Sequence, residues 1–278
     1  MLNNRFLSFL SPAKLNLGLK IMGKRNDGYH YIHSIFCLIN LFDEIRIQII
    51  DNSDKISIIE HQQAWHYTTD LTYKAAKLLQ EYTKTTKGVN IKVKKIIPSG
   101  AGLGGGSSNA ATILIVLNNL WQCNLSVDEL MLLAIKLGAD VPFFLYGQNA
   151  IATGIGEILS PITIPKQYFI LIKPSFGIPT KTIFNNIDKI TITHNEINSL
   201  ELLSNKENDL FHIAIKIYPQ LLKIKNDLSK YGNVSMSGSG STLFITYNNK
   251  IEAIDVYDQL KHLYNVFIVE SINQSPIC

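Results

Sequence analysis

Residues 98–109 are the stretch of the chain best suited to chemistry, with five glycines followed by Ser107, Ser108 and Asn109. Gly100, Gly102 and Gly105 satisfy GxGxxG. An alternating run, Val89 to Ile97, precedes the loop, and the pattern after it predicts a helix from about Ser107 to Trp121. Glycine at that junction lets the backbone pass close to an anion, and free N–H groups of a first helical turn then point at it. The serine and asparagine side chains add donors. Two other phosphate-binding patterns do not fit. A Walker loop needs lysine where Gly106 stands, and a dinucleotide fingerprint needs an acid some 20 residues on. The acids near that place, Asp128 and Glu129, belong to a helix-capping box headed by Ser126. A loop without a ligand would leave so many entropically costly glycines unexplained.

These residues need elements to hold them. Lys14 to Ile21 alternates with period two and reads as a strand. Gly23 to Gly28 reads as a polar loop. Further strands are expected at Ile32–Leu41, Glu44–Ile50 and Ile56–Glu60, the last as a partner of the one before it. Leu71, Ala75, Leu78, Leu79 and Tyr82 form one helical face over Thr69–Tyr82, with Thr69 or Asp70 as cap. The capping box opens a helix that ends at Gly138, and Asp140-Val141-Pro142 starts a short one. Beyond a boundary at Pro161–Lys166, the order is strand Tyr168–Lys173, helix Thr180–Asn186 and one long amphipathic helix Asp209–Tyr231. Strand Ser241–Tyr247, helix Ile251–Tyr264 and strand Val266–Ser271 close the chain. Strands and helices do not alternate regularly, so the class is α+β with mixed or antiparallel sheets.

Composition sets the bounds. The 278 residues are 46% hydrophobic and 17% charged, enough for a packed core and two domains, 1–160 and 161–278. A net charge of +4 is far from polybasic. Cys37, Cys123 and Cys278 form no CxxC pair, which excludes a disulfide scaffold and points to a cytoplasmic setting. No apolar stretch of ~20 residues predicts a membrane span. His33, His61, His66, His194, His212 and His262 show no metal or triad spacing.

Pro98, Ser99, Gly100, Ala101, Gly102, Leu103, Gly104, Gly105, Gly106, Ser107 and Ser108 together resemble the phosphate loop of the GHMP kinases. Pro12–Leu17 is similar to the N-terminal motif of that family, and Ser235–Thr242 to its C-terminal glycine motif. Asp27-Gly28-Tyr29-His30, the extra glycine in Gly104–Ser108, Leu137–Phe143 and Gly154–Glu157 resemble one branch, which phosphorylates the 2-hydroxyl of a CDP-linked methylerythritol. The likeness runs from about Ser11 to Phe244; Ile187–Lys206 matches nothing. It implies a two-lobed GHMP kinase fold, with a ribosomal-protein-like N-terminal domain and an α/β-plait C-terminal domain.

The resemblance implies roles. Asp140 is the general base that takes the substrate hydroxyl proton; read without it, Asp140 is a helix N-cap. Lys14 pairs with Asp140 and stabilises developing charge, although a lone strand-end lysine is ordinarily a solvated one. Asn16 shares its strand face. Tyr29 and His30 hold the cytosine, joined by Thr180 and Phe184, while Phe184 also fits a helix core face. Gly238 and Gly240 shape a turn near the phosphates. Residues 98–108 bind ATP. Mg²⁺ comes with the nucleotide, and Ser107, Ser108 and Asp140 stay open as its contacts.

The expected partners are therefore ATP and CDP-methylerythritol, with no nucleic acid and no membrane, and the chain a monomer or weak homodimer. The competing functions are another GHMP kinase, acting for instance on mevalonate, and a non-catalytic nucleotide- or RNA-binding protein using Lys92, Lys94 and Lys95. Alternating lysines on a strand are more simply its solvent face.

Overall fold

The computed structural model describes residues 5–59, 67–187 and 197–277. Glu60, His61, His66, His194, Cys278 and residues 188–196 of the unmatched stretch 187–206 lie outside the described residues.

The first strand, β1 (Leu7–Lys24), pairs antiparallel along its length with β2 (His30–Ile50). The two expected strands at Ile32–Leu41 and Glu44–Ile50 are thus one. The pairing register shifts between Pro12 and Ala13, opposite Phe42 and Ile39, and the side-chain alternation changes face there. Ile35, Cys37 and Ile39 face one core, and Ile45 and Ile47 the other. An irregularity of this kind flips every following side chain, so one bent strand reads in sequence as two. In β1 the shift between Asn16 and Leu19 does the same: Leu15 and Leu17 face one core, Leu19 and Ile21 the other. Strand β1 also runs through Gly23 and Lys24, placed in the loop by sequence.

The short β3 (Ile56–Ile58) does not pair with β2. It lies parallel to β4 (Gly88–Lys94), which is itself antiparallel to β2. Between them, α1 (Leu71–Thr83) starts at Asp70, whose carboxylate accepts from the Thr72 N–H at 2.8 Å. Then come α2 (Gly105–Leu120), α3 (Val127–Leu137) with the expected capping box, and α4 (Val141–Tyr146). The helix α2 begins two residues before Ser107, inside the glycines. Strands β5 (Ala150–Thr153) and β6 (Ile158–Pro161) form a hairpin on β2 that the sequence did not announce.

In the second half, β7 (Tyr168–Lys173), α5 (Thr180–Phe184) and α6 (Ser199–Asn205) precede α7 (Leu210–Ile217) and α8 (Gln220–Leu228). The expected single helix Asp209–Tyr231 is two. It breaks at Tyr218-Pro219, because proline lacks an N–H and disfavours α conformation in the residue before it. The chain ends with β8 (Val234–Met236), β9 (Leu243–Tyr247), α9 (Lys250–Leu260) and β10 (Asn265–Ile272).

Among the described residues the strands form one mixed sheet, and β10 joins β2 to β7. The fold is α+β. Helices α1 to α4 and α7 to α9 bury their apolar faces in one large core. A second, smaller core holds Leu15, Leu17, Ile35, Phe169, Leu171 and Phe244, together with Ala101 and Leu103 of the glycine loop. The loop is therefore anchored through its own apolar side chains at the meeting of both halves. No described helix is long and apolar enough to cross a membrane.

Candidate active site

A cleft of about 680 Å³ is lined by Lys14 and Asn16 from β1, by residues 98–107, by Asp140, and by Thr180, Phe184, Gly238 and Ser239 from the second half. Its floor is the N-terminus of α2. Gly104 stands at the cap with φ +71°, and having no side chain it makes no capping hydrogen bond to the first N–H groups there. The first turn carries no acid, so those N–H groups and the positive end of the helix dipole suit an anion. The Cβ of any other residue at 104 would lie 2.7 Å from the Phe144 ring and 3.2 Å from Cγ of Lys14. Gly102, at φ +74°, packs against the backbone of the second glycine turn, where a Cβ would meet the Ser237 carbonyl at 2.3 Å. The Ser237 hydroxyl donates to the Gly102 carbonyl at 2.9 Å, so the two glycine segments are fastened together.

Lys14 Nζ lies 3.4 Å from Asp140 Oδ2. It donates to Asn16 Oδ1 at 2.6 Å and sits 4.6 Å from the centre of the Phe36 ring. A buried cation needs such partners, since leaving it unpaired in a low-dielectric site is costly. Asn16 is held in turn by donating to Ser34 Oγ at 2.9 Å. Asp140 occupies the N-cap position of α4 but makes no capping hydrogen bond; its carboxylate turns to Lys14 instead. Helix α4 is fixed by Phe143 and Phe144, both buried, with Phe143 edge-on to Phe36 at 5.0 Å.

The remaining expected residues divide. Thr180 and Phe184 line the cleft, and Thr180 Oγ1 is 3.0 Å from Ser239 Oγ. His30 is buried, its ring centre 5.9 Å from that of Phe184. Tyr29 is 58% exposed and does not line the cleft. Ser108 is fully buried beneath the loop, its hydroxyl 2.7 Å from that of Ser11. Sequence reasoning gave Lys95 only a place in the candidate nucleic-acid run, whereas it lines the cleft, and it missed Lys95's ion-pair partner Asp43, which is wholly buried. The available signal was a carboxylate inside the apolar run from Ile32 to Ile50. Among the described residues no three His, Cys, Asp or Glu side chains cluster as a metal site.

A glycine loop at a helix N-terminus, facing a carboxylate–ammonium pair across one cleft, is an arrangement for handling a phosphorylated nucleotide. The chain matches the GHMP kinases N terminal domain over residues 70–148 and the GHMP kinases C terminal domain over 192–266. It belongs to the GHMP kinase family. Within that family it is 42% identical, over 97% of its own length and 96% of the relative's, to 4-diphosphocytidyl-2-C-methyl-D-erythritol kinase of Neisseria meningitidis. The kinase of that name from Chromobacterium violaceum is 38% identical over 98% and 97%. A crystal structure of 4-(cytidine 5'-diphospho)-2C-methyl-D-erythritol kinase superposes with a TM-score of 0.80 at 32% identity, covering 95% of this chain and 99% of that one. The L. major mevalonate kinase shares the fold, with a TM-score of 0.71 at 17% identity, covering 97% of each chain.

Proposed function

We propose that this chain transfers the γ-phosphoryl group of ATP to the 2-hydroxyl of 4-diphosphocytidyl-2-C-methyl-D-erythritol, a step in making isoprenoid precursors by the non-mevalonate route. The observation that carries this reading is the Lys14–Asp140 pair, 3.4 Å apart beside an uncapped helix N-terminus, in a chain so similar to kinases of that name.

Asp140 takes the proton of the 2-hydroxyl as its oxygen attacks the γ-phosphorus. The bond from that oxygen to phosphorus forms, the bond from phosphorus to the β,γ-bridging oxygen breaks, and ADP leaves with that electron pair. Lys14 stabilises the negative charge that builds up on the reacting oxygens. The N–H groups of residues 104–107 and their neighbours in the loop 98–108 hold the phosphates, and most of this work is positioning. Ser108 contributes by fixing the helix to Ser11 rather than by touching the nucleotide. Asn16 orients Lys14. Thr180 and Phe184 line the cleft where the cytidine would lie, His30 is buried behind Phe184 outside the lining, and Tyr29 is exposed outside it at the adjoining turn.

Mg²⁺ carried on ATP would supply charge neutralisation at the phosphates. The residues present fit that arrangement: Asp140 and Ser107 both line the cleft, and Mg²⁺ on a nucleotide needs only one or two protein oxygens beside phosphate and water. The proposed division into 1–160 and 161–278 falls at the end of β6, one residue before that strand stops at Pro161. The enzyme is expected to work in the cytoplasm as a monomer or weak homodimer.

The nucleic-acid reading is not favoured. Lys95 is tied to Asp43, and Lys92 lies 5.1 Å from the Phe6 ring, so two of the three lysines are engaged within the fold. The deciding experiment is ADP release with the CDP-alcohol compared with mevalonate and homoserine. Turnover of the CDP-alcohol alone is expected, and turnover of mevalonate alone overturns the assignment.

A further inference from the structure

We infer that Asp43 is a positioning residue for the phosphoryl transfer, one buried carboxylate that holds both ends of the glycine loop. This rests on reading residues 98–108 as the ATP phosphate loop.

Asp43 lies on β2 with no exposed surface. Its Oδ1 accepts from the N–H of Ile96 at 2.7 Å and of Ile97 at 2.9 Å. Those residues lead directly into Pro98, where the loop begins. Its Oδ2 accepts from Lys95 Nζ and from Asn109 Nδ2, the latter at 3.0 Å. Asn109 stands on α2, just past the loop's other end. An ionised carboxylate has about four acceptor sites, and all four are used here. Ala101 and Leu103 pin the middle of the loop in the smaller core, but the glycines on either side of them leave its ends free to shift. A single group fastened to the strand end before the loop and the helix start after it fixes those two ends.

The charge of Asp43 has a second effect. A Cβ placed on Gly105 would lie 3.1 Å from Lys95 Nζ, so this ammonium sits at the first turn of α2. A cation is disfavoured at a helix N-terminus, where the dipole is positive. Asp43 compensates that cation and keeps it in place against the loop.

The Asp43→Asn variant turns an acceptor into an amide whose NH₂ faces two donors, Lys95 and Asn109. Loss of a charged hydrogen-bond acceptor predicts a rise of about tenfold or more in KM for ATP. KM for the CDP-alcohol is expected to stay within about twofold, because Thr180, Phe184 and His30 are unaffected. The double variant Asp43→Asn with Asn109→Asp returns an acceptor and a negative charge to the same junction, and should bring KM for ATP back to within about threefold of normal. If both KM values move together, or if the double variant shows no recovery, the inference is overturned. Should Asp43→Asn not fold, Asn109→Ala removes the helix-side bond alone and predicts a rise of about threefold in KM for ATP only. An unchanged KM for ATP there overturns the inference too. Gly104→Val, measured alongside, separates this from the loop reading itself. If Gly104→Val raises KM for ATP and the Asp43 variants do not, only the role of Asp43 falls. If Gly104→Val leaves ATP untouched, the loop reading fails and takes this inference with it.

Discussion

Lys14 is buried beneath Asp140: its side chain is 4% exposed, while the carboxylate 3.4 Å away is 34% exposed. The carboxylate is thus the member of the pair that a substrate can reach. The ammonium is locked from behind by Asn16 and Phe36. An acid–base group in front and a fixed charge behind is the order that proton removal followed by charge stabilisation requires.

Lys14→Met should separate these roles. Without the cation, kcat is expected to fall about 10²–10³-fold, as when a fixed electrostatic stabiliser is removed. The affinity for ATP should change by less than about threefold, since the phosphates are held by backbone N–H groups. Steady-state kinetics beside calorimetric ATP titration check this, and a kcat within about threefold of normal would reject the role of Lys14.

Gly104→Val is expected to lower the melting temperature by about 3–10 °C, because a β-branched residue at φ +71° is strained and its side chain collides with Phe144. Gly106→Ala is the comparison. Its Cβ meets only Leu71 Cδ1, at 3.7 Å, so its melting temperature should stay within about 2 °C of normal. Equal melting of the two variants contradicts the account of the loop's backbone.

Burial pushes the Cys37 thiol up to about 12, against an ordinary 9.0. At pH 8 the folded protein should therefore resist iodoacetamide at Cys37, with labelling by mass spectrometry appearing only on unfolding. The sign of the pH effect follows. The raised value leaves stability intact below pH 9 and erodes it as the pH climbs toward about 12, because the unfolded thiol ionises first. Rapid labelling of folded protein at Cys37 would contradict the placement of β2.

Ser126→Ala tests the helix boundaries without touching the cleft. The Ser126 hydroxyl accepts from the Glu129 N–H at 3.3 Å, and its own N–H donates to Glu129 Oε2 at 2.9 Å. Loss of that cap should cost about 1 kcal/mol, or roughly 2–4 °C in Tm, with kcat unchanged. A Tm identical to that of the parent would mean that the cap carries no weight.

What was legible in the sequence was local. The glycine segment, the Ser126 capping box and the alternation through Lys14 and Asn16 each depend on neighbours a few residues away, and each lies where the spacing placed it. What escaped depended on partners distant in sequence. The β3 strand chose β4 as a parallel neighbour, a tertiary pairing that no local pattern encodes. The β2 strand looked like two because its side chains change face near residue 40, where Asn40 and Leu41 have no partner in its pairing with β1. Pro219 was a local signal that the amphipathic pattern from Asp209 to Tyr231 outweighed in the reading, yet it divides α7 from α8. In the site, Asp140 was readable because it lies in a continuous motif. Asp43 was not, because its four donors come from residues more than 50 positions away. Tyr29 shows the reverse: it sits in a telling motif, yet its ring is exposed outside the cleft lining.

The central claim is that Asp140 is the base that activates the 2-hydroxyl, and Asp140→Asn tests it most directly. With the CDP-alcohol and ATP both saturating, kcat should fall about 10²–10⁴-fold while ATP still binds within about threefold of its normal affinity. Turnover within about tenfold of normal, with ATP binding intact, would contradict it.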